Sequence, residues 1–259
     1  MFNFKAPDNI ALIRVDIQNT FTDGGNLAVA GGQLIIPTVN GLTRCFNTVV
    51  DTQDWHPEGH SSFASTHGRN PFERVWMKDG IIVGEIQTDD QGNPMDKAEH
   101  APVQGALVQT LWTDHGVQNT EDAAFHPDLE RDAAALGVKN MLHLQKGTNQ
   151  KIDSYSGFYE NDGVTQPRFD NGKTLTETLK DLGVDTAVFV GLASDFCVGW
   201  HATDAIKEGF NAVVIYDATK PIAAPIADGV TTETLMLDEM KRAGVQVIQA
   251  KDAPKLLAA

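Results

Sequence analysis

Two cysteines, Cys45 and Cys197, are all that the 259-residue chain contains. One pair in a chain of that length does not make the disulfide framework of a small secreted domain, so a reduced, reactive thiol is the expectation. Basic residues are also scarce: 20 Lys and Arg against 35 Asp and Glu leave a net charge of -15. A nucleic-acid backbone or an anionic membrane surface would on average repel such a chain, and neither is expected as a partner. Apolar runs such as 187–193 fall far short of the roughly 20 residues a membrane-crossing helix requires. No apolar stretch follows a basic start, so no secretory signal is expected and the expected location is cytoplasmic. Repeats and low-complexity tracts are lacking too. What is present, 41% hydrophobic and 7% aromatic residues, suffices for one substantial core. The expectation is one domain over 1–259 that handles a small neutral molecule; homo-oligomerisation stays open.

Hydrophobic patterning alternates between strand and helix. Residues 10–16 form an apolar run ending on a carboxylate, and 48–52, 141–144, 186–191, 212–216 and 245–248 read as further strands. Helical spacing is found at about 33–46, at 173–182 before Gly183, from Val198 to Gly209, and at 231–243. Strands alternating with helices predict a three-layer α/β/α fold around a mainly parallel sheet. Segment 71–109 breaks the rhythm, being rich in Gly, Pro, Asp and Gln with one strand-like piece at 80–86. It reads as a lid-like insertion.

Parallel sheets place their binding sites beyond the carboxyl ends of the strands. Asp16, Asp54, Lys146 and Cys197 all fall at or just after predicted strand ends, so residues distant in sequence should converge on one rim. Cys197 sits where a strand ends, a loop turns and a helix begins; backbone N–H groups there favour an anion and should lower the thiol pKa, and could hold an oxyanion. A single cysteine is more often structural, a reading that suits Cys45. Asp16 could accept the thiol proton and Lys146 stabilise the thiolate, although either alone is more often a loop charge or half of an ion pair. Asp54-Trp55-His56 puts a carboxylate and an imidazole on one side of an extended chain, with His60 and His115 further on. Carboxylate plus imidazoles suits Zn²⁺, Mn²⁺ or Fe²⁺, though most such pairs bind nothing. His67, His100, His126, His143 and His201 are read as surface or satisfied buried imidazoles.

Taken in order, Val15-Asp16-Ile17-Gln18-Asn19-Thr20-Phe21, Gln53-Asp54-Trp55-His56-Pro57 with Ser62-Phe63-Ala64-Ser65, the stretch from Trp112 to His115 with Val117-Gln118-Asn119, Lys146-Gly147 with Asp153-Ser154-Tyr155-Ser156-Gly157-Phe158, and the stretch from Gly191 to Val198 resemble the nicotinamidase/pyrazinamidase family of isochorismatase-like cysteine hydrolases. The resemblance covers nearly the whole chain. It implies hydrolysis of nicotinamide, and of pyrazinamide, through a cysteine thioester, in the salvage of pyridine nucleotides. Cys197 would be the nucleophile, Asp16 the base and then the acid, and Lys146 the group that orients and stabilises them. A cis peptide between Leu192 and Ala193 would turn the Ala193 N–H, with that of Cys197, toward the oxyanion. Phe21 and Trp112 would flank the pyridine ring. Asp54, His56 and His115 would hold one divalent ion, zinc before manganese or iron, that binds the ring nitrogen; His60 matches a ligand found in only some relatives.

Two departures stand out. Relatives commonly read Trp-Pro-x-His-Cys around the third ligand, where this chain has Trp112-Thr113-Asp114-His115-Gly116, and 71–109 is longer than the matching segment in many of them. The alternatives are a related cysteine hydrolase acting on another small amide or ureido compound, a hydrolase in which metal-bound water attacks and Cys197 is structural, and a binding module on the same fold.

Overall fold

Every residue of Ile10–Val15, strand β1, is buried, which requires cover on both faces and a neighbour on each edge. The computed structural model describes residues 2, 4–89, 94–227 and 229–257. The strands are β1, β2 (Thr48–Asp54), β3 (Arg74–Lys78), β4 (Ile81–Glu85), β5 (Leu107–Thr110), β6 (Asn140–Lys146), β7 (Thr186–Leu192), β8 (Asn211–Lys220), β9 (Pro225–Ala227), β10 (Val230–Thr231) and β11 (Gln246–Ile248). The helices are α1 (Ile36–Thr43), α2 (Ala133–Leu136), α3 (Leu175–Asp181), α4 (Cys197–Lys207), α5 (Thr232–Ala243) and α6 (Ala253–Leu257). A six-stranded sheet runs β11-β8-β7-β1-β2-β6, and each of its pairings is parallel.

Alternation along the strands divides the core in two. Leu12, Val188, Val190, Val213 and Ile215 pack with Ile36, Val39 and Leu42 of α1. Ala11, Ile13, Val15, Phe189 and Val214 face the other way, onto Leu175 and Leu179 of α3, Val198, Ala202 and Ala205 of α4, and Met236 and Met240 of α5. The result is the expected three-layer α/β/α arrangement. Arg14 can sit fully buried within β1 because Asp51 on β2 takes two of its nitrogens, at 2.6 and 2.9 Å. Among the described residues no helix is long and apolar enough to cross a membrane.

Two sequence expectations shift. The helix read over 33–46 is regular only in Ile36–Thr43, preceded by a 3₁₀ turn at Gly32–Ile35; Pro37, which lacks an N–H, falls in the first helical turn, where none is needed. Segment 71–109, of which residues 90–93 lie outside the described residues, carries an antiparallel sheet ordered β4-β3-β5 rather than a lone strand. Its own small core joins Val75, Met77 and Leu111 with Ala64.

Candidate active site

β7, β1, β2 and β6 end side by side, and their carboxyl ends deliver the chemistry. Asp16 follows β1 with φ 48°, a left-handed conformation that Asp tolerates better than most residues. Asp54 ends β2 and pairs in register with Lys146, which ends β6. After β7 the Leu192–Ala193 peptide is cis, and Cys197 opens α4. Gly191 (φ +117°) has no alternative here, because a Cβ on it would lie 2.1 Å from the Val15 carbonyl oxygen.

Lys146 is the hub. Its buried Nζ lies 3.0 Å from Asp16 Oδ2, donates to the Ser154 carbonyl at 2.8 Å, meets Asp54 Oδ1, and stands 3.5 Å from Cys197 Sγ. Burial opposes its charge, but Asp16, Asp54 and Cys197 outweigh that and hold its pKa well above normal. Asp16 is raised to about 6, chiefly by burial, which Lys146 partly offsets; Thr52 donates to its Oδ1 at 2.6 Å. The Cys197 thiol is pushed well above its usual range by burial, with Lys146 pulling the other way and the two carboxylates adding to the rise. This corrects the expectation of a lowered thiol pKa, since burial, with the two carboxylates beside it, outweighs the pull of Lys146. The resting thiol is protonated, and Asp16 lies where its proton can go.

Beside this triad, Asp54 Oδ2 faces His56 Nε2 at 3.8 Å and His115 Nε2 at 3.7 Å. His56 Nδ1 is tied to the Gly147 carbonyl at 2.9 Å and His115 Nδ1 to the Thr113 carbonyl at 2.8 Å, which leaves both Nε2 atoms facing Asp54. Burial first of all depresses His56, to about 3, so it is neutral. Its Nε2 is buried with no hydrogen-bond partner, as suits a ligand atom facing a cation. Asp54, His56 and His115 thus offer one oxygen and two nitrogens within 4.8 Å of one another, and they fit a divalent ion. His60 is not part of that set. Its Nδ1 meets Ser62 Oγ at 2.8 Å and its Nε2 the Asn149 carbonyl at 2.8 Å, although it forms a second set with His56 and Asp153.

Cys197, Asp54 and His115 line one cavity together with Ala193, Phe21, Trp112, Tyr155, Phe196 and Ile222. Phe21 packs edge-on to His115 and Trp112 edge-on to Phe196. Sequence reasoning missed Asp153, Tyr155, Thr52 and the Ser154 carbonyl as parts of the site. Asp153 and Tyr155 had a signal in the segment after Lys146-Gly147; Thr52 and a backbone oxygen gave none. Cys45 and Cys197 are both free thiols, and His201 is satisfied on both nitrogens, by the Cys197 carbonyl and the Gly157 N–H at 2.7 Å each.

Comparison with known proteins finds the isochorismatase domain matching residues 10–252. The nicotinamidase of Acinetobacter baylyi is 43% identical over 219 residues, covering 84% of each chain. Among solved structures, an Acinetobacter baumanii nicotinamidase pyrazinamidase superposes with a TM-score of 0.75 at 41% identity, over 96% of this chain and 99% of that one. A Pyrococcus horikoshii pyrazinamidase in complex with zinc gives 0.62 at 29%, over 93% and 99%.

Proposed function

Because the chain belongs to the isochorismatase family, we propose that it is a nicotinamidase whose single domain, with 71–109 as an insertion, hydrolyses nicotinamide to nicotinate and ammonia with Cys197 as nucleophile, and takes pyrazinamide as well. One observation carries the assignment of roles: Lys146 meets Asp16, Asp54 and Cys197 at once, and Cys197 lines the same cavity as Asp54 and His115, which group with His56.

The steps follow from charge and distance. Asp16, ionised above about pH 6, takes the thiol proton while Lys146 stabilises the sulfur anion 3.5 Å away. Attack on the carboxamide carbon creates an oxyanion. The Cys197 N–H, in the first turn of α4 and so without an intrahelical acceptor, and the Ala193 N–H receive it. Asp16 returns the proton to departing ammonia, then deprotonates the water that opens the thioester. Phe21 and Trp112 hold the ring between them. A divalent ion on Asp54, His56 and His115 would supply a Lewis-acid anchor for the ring nitrogen; zinc is favoured by the nitrogen and oxygen donors and by the zinc-bound relative.

Ammonia release from nicotinamide and pyrazinamide tests the reading, with Cys197→Ala alongside. Activity on neither ring amide favours a ureido or other small-amide substrate. Activity that survives Cys197→Ala favours attack by metal-bound water and overturns the cysteine mechanism.

A further inference from the structure

Gln109 is borne by β5, the last strand of the insertion, yet its side chain is buried at the edge of the candidate metal centre. Its Nε2 donates to Asp153 Oδ2 at 3.0 Å and to the Thr110 carbonyl at 2.7 Å. Asp153 Oδ1 accepts the Ser154 N–H at 2.8 Å and lies 4.0 Å from His56 Nε2, the ligand atom that has no hydrogen-bond partner. Asp153 also lines the catalytic cavity. Gln109 is therefore the side chain that fixes how this buried carboxylate faces the site. β3 and β5 hold Gln109 in register with Val75, so its hydrogen bond to Asp153 ties the insertion to the cage.

We propose that Gln109 is a positioning residue which, through Asp153, turns a further carboxylate toward the ion held by Asp54, His56 and His115, so that the insertion sets metal affinity. The inference rests on the metal reading above. A carboxylate beside a divalent ion strengthens its binding only if it is aimed, and a freed Asp153 can rotate its charge away. Partners of this kind typically change metal affinity by about 10- to 100-fold.

The test is the Zn²⁺ dissociation constant of the full chain, measured by chelator competition without reference to activity. Gln109→Met keeps the shape and removes the donor; Gln109→Glu, the second variant, sets a carboxylate against Asp153. Both are expected to weaken Zn²⁺ binding by about 10-fold at an unfolding midpoint that shows a folded protein. Asp153→Asn should weaken it at least as much, and the Gln109→Met/Asp153→Asn double variant should be no worse than Asp153→Asn alone, since the two act as one unit. Arg74→Ala, which removes the Arg74–Asp96 ion pair within the insertion, should leave affinity unchanged. Unchanged binding in the Gln109 variants, full additivity, or an equal loss in Arg74→Ala overturns the inference. If wild type and His56→Ala take up Zn²⁺ equally weakly, the metal reading itself has failed, and this inference falls with it.

Discussion

Gly147, directly after Lys146, gives the sharpest test of the metal cage. Its φ is +65°, and a Cβ built there would lie 2.3 Å from His56 Cε1 and 2.6 Å from Nδ1. Ordinary contact begins near 3.4 Å, so in Gly147→Ala the imidazole must retreat by about 1 Å, and a displacement of that size in a site costs about 100-fold in rate. Left-handed backbone adds roughly 1–2 kcal/mol of strain for any residue with a Cβ. Gly137 separates the two effects: its φ is +69°, and a Cβ there meets nothing within 4 Å. Gly137→Ala should lower the melting temperature by a few degrees, about 2–4 °C per kcal/mol for a chain near this size, and leave kcat/KM alone. Gly147→Ala should show the same thermal loss or more, with kcat/KM for ammonia release down about 100-fold and Zn²⁺ affinity reduced. If the two variants agree within threefold in both kcat/KM and Zn²⁺ affinity, His56 is not a ligand held by this turn.

The convergence of Asp16, Asp54, Lys146 and Cys197 was legible because each closes a strand or opens the helix after one, and a parallel sheet aligns those ends whatever the strand order. The order itself was not, since β1 between β7 and β2 depends on which buried faces match, and every central strand looks alike in sequence. Strands β3 and β5 were missed for another reason. Arg74–Lys78 and Leu107–Thr110 are short, and each mixes polar with apolar residues, so they gain their structure from pairing with each other across the insertion. Asp54 shows a subtler limit. Its type and position suggested a ligand, but only coordinates show one oxygen on Lys146 and the other toward two imidazoles, which makes it the joint between the Lys146 cluster and the two histidines. His60 lay in the right segment, and the structure groups it with His56 and Asp153 rather than with Asp54, its nitrogens meeting Ser62 and the Asn149 carbonyl, a backbone partner that no motif records.

Lys146→Met would leave Asp16 and Asp54 buried without their cation, a change that typically costs about 3–5 kcal/mol; urea unfolding should show a loss of that order together with collapse of kcat, and near-wild-type stability would contradict the hub role. Because Asp16 must be ionised to take the thiol proton, kcat/KM should fall as pH drops through about 6. Thr52→Val removes the hydrogen bond that favours the ionised form, so its acid limb should lie at higher pH; an unmoved or lower limb refutes the assignment of Asp16. His201 gives a pH effect on stability instead. Burial holds its pKa at about 3, against an ordinary 6.5, so below 6.5 the unfolded chain takes up a proton that the folded one refuses. The stability it contributes is therefore complete above about pH 6.5 and declines as the solution is acidified toward 3. At 1.36 kcal/mol per unit, the full decline amounts to a few kcal/mol. His201→Gln, which cannot titrate, should lose less stability than wild type between pH 6.5 and 4. A difference between the two proteins that stays constant over that range would mean that the imidazole, satisfied by Cys197 and Gly157, is protonated as readily folded as unfolded.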